Sequence, residues 1–198
     1  MRWKKIGIIY FLTFLLLAAV KFICLAKGIE TKMVMRDPIP LLRGAIYVGC
    51  VSNLGILAWG YAASVFFFAG AQSRVRGLSV FLFWSGVLTA LLTLDDFFLL
   101  HEKVIPLLFG IPEKITHIFY GILTLIYLVI FRENILKSYL TILLPAFFFF
   151  AVSLILDDFI HSAPPMLEDG AKLFGVVTWA FYAHCAGAQA IQASPERG

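Results

Sequence analysis

The residues best suited to chemistry occur in two similar groups near the ends of long apolar stretches. The tetrapeptide Leu-Asp-Asp-Phe begins at Leu94 and again at Leu156, and a histidine follows each copy shortly afterwards. Carboxylate oxygens and imidazole nitrogens are ligands that zinc, iron and manganese accept in proteins. The two groups therefore predict a site for a divalent transition metal, with the ligands Asp95, Asp96, His101, Asp157, Asp158 and His161.

Further ionisable residues accompany each copy of the motif. Those after the first copy are Glu102, Glu113 and His117, and those after the second are Glu168, Asp169 and Lys172. In an enzyme, a metal-bound water would be the nucleophile at neutral pH. Glu102 or Glu113 would act as the general base, and Lys172 would stabilise developing negative charge. The other three residues are additional members of the cluster.

The number of metals depends on the ligand spacing. Acids from several helices together with histidines match the composition of a dinuclear carboxylate bundle. That class uses a Glu-x-x-His spacing within two helices, whereas here only Asp158 and His161 are three residues apart. The spacing therefore favours a mononuclear site.

Two other uses of the cluster compete with catalysis. Lysines such as Lys114 and Lys172 can pair with neighbouring acids and hold the rim of a helical bundle together. Such an ionic rim is typical of a non-enzymatic accessory or structural membrane subunit, and it explains the lysines better than the histidines. Acids and histidines also form relays in ion- or proton-coupled transporters. Away from the cluster, however, the apolar stretches have almost no ionisable residues, which favours a site over a passage.

Six apolar stretches must position these residues. The chain is 61% hydrophobic and only 14% charged, and its mean hydropathy is +0.92. A bilayer requires about 20 apolar residues per helix and offers no partners to unpaired backbone groups. The sequence therefore predicts an all-α polytopic membrane bundle forming a single integral membrane domain. The six predicted transmembrane helices cover residues 6–26, 44–70, 78–100, 115–131, 138–160 and 171–192.

The recurring motif also predicts a parallel tandem repeat, in which predicted helices 3 and 4 correspond to predicted helices 5 and 6. Two spans separate the copies, so both units would cross the membrane in the same direction. On a continuous helix, Asp95 and Glu102 would share a face at seven residues apart. Glu113 and His117 share a face at four residues apart. Glycines such as Gly121 and Gly175 are expected where helices approach closely or bend.

Short basic connections favour an inner-membrane protein with both termini in the cytoplasm. This orientation puts the polar cluster on the outer face, where a lipid or another lipophilic substrate would reach it from the bilayer. A second membrane protein is the other expected partner. The pI near 9.0 comes from membrane-flanking basic residues and does not require nucleic acid as a partner.

The aspartates and histidines on this face are similar in theme to the intramembrane zinc hydrolases of the alkaline ceramidase type. The chain lacks the His-x-x-x-His pair and the seventh span of those enzymes. Neither their ligands nor their activity is therefore transferred to this sequence.

Overall fold

The structure is a computed structural model that describes residues 15, 18–19, 21–30, 49–160 and 164–193, apart from the side chains of Asp158 and Pro165. Every regular element within these residues is helical, which confirms the predicted all-α class. The chain divides into two compact units, residues 1–48 and residues 49–198. In the first unit, the described residues 21–27 are helical.

The second unit consists of helices and their short connections. The helices are α1 (Cys50–Gln72), α2 (Arg76–Phe98), a π-helical segment (Leu100–Val104), α3 (Ile105–Phe109), α4 (Glu113–Ile130), α5 (Arg132–Leu136), α6 (Leu140–Phe159) and α7 (Pro165–Gln192). Along these elements α7 packs against both α1 and α6, and α1 packs against α2. The helix order in space is therefore α2, α1, α7, α6, with α4 joined to α2.

Four of the described helices are long and apolar enough to cross a membrane. They are Cys50–Gln72, Arg76–Phe98, Glu113–Ile130 and Leu140–Asp157. They correspond to the predicted spans 44–70, 78–100, 115–131 and 138–160. The predicted span 171–192 lies in α7, a helix of 28 residues that is not among the four. Most of the predicted span 6–26 lies outside the described residues, so six spans and the tandem repeat stay predictions.

The outward surfaces of the long helices are apolar. Large side chains such as Phe68 on α1, Leu125 on α4 and Phe148 on α6 are mostly exposed. A water-soluble protein rarely exposes so much contiguous apolar surface, whereas lipid solvates it at no cost. The distribution of apolar side chains on both the inside and the outside of the bundle is therefore compatible with a membrane protein.

The side chain of Trp179 joins four helices at the centre of the bundle. Its ring centroid lies 5.8 Å from that of Phe66 on α1 and 5.8 Å from that of Phe147 on α6. Its indole N–H donates a 3.0 Å hydrogen bond to the hydroxyl of Thr89 on α2. Buried aromatic rings contribute large contact areas, and an indole N–H in an apolar interior needs an acceptor. One residue of α7 therefore fixes the positions of α1, α2 and α6.

A stripe of hydroxyl residues runs along α2 toward the polar end of the bundle. Ser85, Thr89 and Thr93 are four residues apart, and each hydroxyl donates to the backbone carbonyl four residues earlier. Ser85 also hydrogen-bonds to the hydroxyl of Tyr127 on α4 over 2.7 Å. Hydroxyls that are satisfied in this way can cross an apolar interface and hold helices together. The contact of α4 with α2 therefore depends on polar as well as apolar groups.

Replacing Gly175 with alanine is expected to destabilise the bundle. An added Cβ on α7 would lie 2.6 Å from the nearest ring carbon of Phe150. The Phe150 ring is stacked on Trp59 at 5.3 Å between centroids, so it has little room to move. We expect Gly175→Ala to lower the free energy of unfolding by about 1–3 kcal/mol, measured by circular dichroism of the detergent-solubilised protein during chemical unfolding.

The matched control is Gly121→Ala in α4. An added Cβ there meets no atom of the described residues within 4 Å, so no close contact with the described helices depends on this glycine. Its replacement should leave stability unchanged or raise it by up to about 1 kcal/mol, since alanine favours the helix. Equal stabilities of the two variants would contradict the packing described for Gly175.

Candidate functional site

A sharp reversal of the chain after α2 builds the polar end of the bundle. Leu99 adopts the left-handed conformation, with φ 52° and ψ 45°, and ends the helix. The backbone N–H groups of Lys103 and Val104 then both bond to the Leu99 carbonyl, at 2.9 and 3.1 Å. This reversal brings the backbone N–H of His101 within 3.0 Å of a carboxylate oxygen of Asp95. Left-handed residues other than glycine are uncommon and concentrate at functional sites.

The carboxylate of Asp95 is the most deeply buried ionisable group of this cluster, and it is only 3% exposed. One oxygen accepts hydrogen bonds from the His101 backbone N–H and, at 2.8 Å, from the Tyr120 hydroxyl on α4. The other oxygen contacts Nδ1 of the His101 ring. A buried carboxylate is costly unless donors satisfy it. Three donors from two elements meet that requirement.

The same contact fixes the direction of the His101 ring. With Nδ1 directed at Asp95, Nε2 lies 3.6 Å from a carboxylate oxygen of Glu113. The ring centroids of His101 and His117 are 5.0 Å apart. One ligand atom each from His101, Glu113 and His117 can be chosen so that all three lie within 4.8 Å of one another. The first turn of α4 carries two of these groups because they are four residues apart on one face.

Two imidazoles and one carboxylate are a common ligand set for zinc and for non-haem iron. A carboxylate behind a histidine, as Asp95 is behind His101, selects the tautomer whose other nitrogen faces a metal. Burial lowers the pKa of His101, but the hydrogen bond and the negative charge of Asp95 outweigh it and raise this pKa above its ordinary value. Protons therefore compete with any metal for His101.

A second group of possible ligands consists of Asp95, Asp96 and His101. The carboxylates of this second group already take part in more hydrogen bonds and ion pairs than the ligands of the first group do. Both oxygens of Asp95 accept the hydrogen bonds described above, and Asp96 accepts a 2.6 Å hydrogen bond from Nζ of Lys172 on α7. A cation so close to Asp96 opposes a metal ion there. The group around Glu113 and His117 is thus better suited to bind one.

The Asp96–Lys172 ion pair borders a small cavity between the ends of α1, α2 and α7. Its polar lining comes from Ser52, Asp96, Asp169 and Lys172, and its volume is about 40 Å³. That volume is sufficient for a few water molecules. The cavity therefore gives the paired charges of Asp96 and Lys172 room for water beside them.

The structure does not keep Asp95 and Glu102 on a shared helix face. Because α2 ends before Leu99, Glu102 lies on the π-helical segment rather than on a continuation of α2. Its carboxylate forms a 2.8 Å ion pair with the exposed Nζ of Lys103. The side chain is therefore directed to solvent-exposed surroundings and away from the buried carboxylate.

The second copy of the motif is described only in part. Asp157 is half-buried near the end of α6, while the Asp158 side chain and all of His161 lie outside the described residues. Burial and then the charges of Asp157 and Asp169 raise the pKa of Glu168 above its ordinary value. The charges of Asp157, near the end of α6, and of Asp169, at the start of α7, thus both act on Glu168.

Tyr120 is the residue of this site that sequence reasoning missed. It lies seven residues after Glu113 and therefore on the same face of α4. The sequence contained that spacing, but a tyrosine near a membrane surface is common enough to carry little information. Only the position of Asp95 shows that the hydroxyl has a buried carboxylate as its acceptor.

Removing the Glu168 charge is expected to stabilise the protein at neutral pH. A carboxyl group whose pKa is raised by folding destabilises the folded state when it is ionised, and this effect disappears below the unfolded pKa of about 4. We expect Glu168→Gln to raise Tm by roughly 1–2 °C at pH 7 and to have no effect near pH 4. The control is Glu133→Gln, which removes an acid from the short helix α5. A lower Tm for Glu168→Gln at pH 7 would contradict the raised pKa.

Comparison with known proteins adds a family but no function. No curated protein and no solved structure was found to match the chain. One family model does match, over residues 9–186, and its description is a domain of unknown function. Because this match covers nearly the whole chain, the protein belongs to the family of the domain of unknown function DUF8692.

Proposed function

We propose that this membrane protein binds one divalent transition metal through His101, Glu113 and His117. The observation that carries the proposal is the approach of one ligand atom from each residue to within 4.8 Å of the other two. The proposal is also supported by Asp95, whose carboxylate contacts Nδ1 of His101 and leaves Nε2 as the metal ligand. Three protein ligands leave at least one coordination position open, as in catalytic zinc sites. Zinc, iron and manganese all accept this ligand set.

The proposal narrows the ligand set that the sequence suggested. Asp95 becomes the partner that orients His101, and Asp96 becomes the partner of Lys172. Glu113 changes from general base to ligand, and His117 joins it. Asp157, Asp158 and His161 are not needed for a mononuclear site, so their role as metal ligands stays a prediction from the sequence.

The proposed chemistry is hydrolysis of a lipid or another lipophilic substrate. A bound divalent metal polarises a carbonyl or phosphoryl group and lowers the pKa of water. The ligands lie where α2 and α4, both apolar enough to cross a membrane, begin or end. Beside them, Leu107, Leu108 and Phe109 of α3 are largely exposed, as interfacial residues are. A substrate entering from the bilayer would therefore reach the ligands without crossing water, on what the basic loops suggest is the outer face.

A second candidate function is an ionic rim in an accessory membrane subunit. The 2.6 Å contact between Lys172 and Asp96 favours it, because this pair joins α7 to α2 whether or not a metal is present. The Asp96 side chain is 12% exposed and that of Lys172 is 42% exposed, so water shields the pair on the lysine side only. This function explains Lys172, but it gives no role to the approach of His117 and Glu113 to His101.

The metal proposal predicts binding that depends on α4. Protein purified without a chelator should contain about one equivalent of zinc, iron or manganese. His117→Ala and Glu113→Gln should each weaken Zn²⁺ binding by about 100-fold or more, since losing even an outer partner of a metal ligand costs about 10- to 100-fold. Elemental analysis and competition with a chromophoric chelator measure the two quantities.

The control for these variants is His184→Ala. His184 accepts or donates a 2.9 Å hydrogen bond with Tyr61 on α1, away from the proposed ligands. Its removal should leave Zn²⁺ affinity unchanged. Less than about a tenth of an equivalent of metal in the purified protein, together with no saturable Zn²⁺ binding, would exclude the proposed centre.

The ionic-rim function predicts coupling between Asp96 and Lys172. We expect Asp96→Asn and Lys172→Met each to destabilise the protein, with a coupling energy of about 1–2 kcal/mol in the double-mutant cycle. The reason is that each single change leaves the partner charge poorly satisfied. Unfolding of the four proteins in mixed micelles measures this energy. Additive effects of the two changes would remove the support for a structural ion pair.

A further inference from the structure

The hydroxyl of Thr116 is buried without a hydrogen-bond partner. Thr116 is 5% exposed, and its Oγ1 has no hydrogen-bond donor or acceptor among the described residues. Buried polar atoms are normally paired, and threonines within helices usually donate to the carbonyl four residues earlier. Thr89 and Thr93 on α2 do so at 2.7 Å. The behaviour of Thr116 therefore differs from that of Thr89 and Thr93 in the same bundle.

Thr116 lies on the turn of α4 that forms the proposed metal centre. It follows Glu113 by three residues and precedes Tyr120 by four, so all three lie on one side of the helix. Glu113 contacts the His101 ring, and Tyr120 contacts Asp95. The next residue along the chain is the ligand His117. The unpaired hydroxyl therefore lies on the side of α4 from which Glu113 contacts His101 and Tyr120 contacts Asp95.

We propose that the Thr116 hydroxyl hydrogen-bonds to the molecule that occupies the open coordination position of the metal. The ligand class is a water, a small anion or a substrate oxygen, each of which accepts a hydrogen bond from an O–H donor. This inference rests on the metal centre proposed above. It assigns Thr116 to the binding of the exogenous ligand and not to the binding of the ion.

A Co²⁺-loaded protein and azide provide the test. Co²⁺ occupies zinc sites and makes ligand binding visible by absorption, and azide accepts hydrogen bonds while it is coordinated. The full-length protein in detergent is loaded with Co²⁺ and titrated with azide. We expect Thr116→Val to weaken azide binding by about 3- to 10-fold, the usual loss for one hydrogen bond. Its Co²⁺ affinity should stay within about twofold of that of the original protein, since no metal ligand is removed.

Three further variants complete the test. Thr116→Ser keeps a hydroxyl and should keep azide affinity, whereas Thr116→Ala removes it without adding a methyl group and should behave like Thr116→Val. Thr124→Val makes the same substitution two turns later on α4 and should change neither affinity. These comparisons separate the loss of the hydroxyl from a general effect of altering the helix.

Each outcome decides between the two proposals. If the original protein fails to bind Co²⁺, the metal centre is wrong and the assignment of Thr116 falls with it. If Co²⁺ binds but Thr116→Val and Thr116→Ala bind azide as tightly as the original protein does, the metal centre stands and the assignment of Thr116 is overturned. Loss of Co²⁺ affinity in both variants would likewise overturn it, because the hydroxyl would then support the ion.

Discussion

The need to satisfy the buried carboxylate of Asp95 governs the polar end of this bundle. An ionised group within the last turn of a membrane helix costs several kcal/mol unless donors surround it. The chain supplies two of these donors by ending α2 at Leu99 and returning His101 to Asp95, and α4 supplies the third through Tyr120. The left-handed Leu99 and the π-helical segment follow from this requirement. Satisfying one carboxylate therefore sets both the path of the chain and the direction of the His101 ring.

The rest of the bundle holds α2 and α4 where that arrangement needs them. The hydroxyl stripe of α2 contacts Tyr127 through Ser85 and Trp179 through Thr89. These contacts fix α2 between α4 and α7 in both rotation and depth, because hydrogen bonds are directional. A rotation of α2 that moved Asp95 away from Tyr120 would also break them. The packing of the apolar interior and the geometry of the polar end therefore depend on the same position of α2.

The sequence shows which polar residues accompany the motif, but it does not show how the fold arranges them. Hydropathy predicted the helices because lipid permits few other structures, and a four-residue spacing predicted that Glu113 and His117 share a face. The separation of Glu102 from Asp95 was not predictable, since it depends on a left-handed leucine, for which the local sequence has no signal such as glycine. Tyr120 was missed because its role depends on a partner 25 residues earlier in the chain. Contacts between helices, unlike periodicity within one helix, are not encoded in local spacing.

The geometry of a helix explains why the motif contains two adjacent aspartates. Neighbouring residues diverge by about 100° around the axis, so Asp95 and Asp96 must face different parts of the bundle. Asp95 meets His101 and α4, while Asp96 meets Lys172 on α7. One acid therefore orients an imidazole and the other neutralises an ammonium group. The proposed metal centre and the structural ion pair are then compatible functions of a single dipeptide, because the helix directs the two aspartate carboxylates to separate neighbours. Lys172 pairs with Asp96 and not with one of the three proposed metal ligands, and its positive charge offsets part of the rise that Asp95 causes in the pKa of His101.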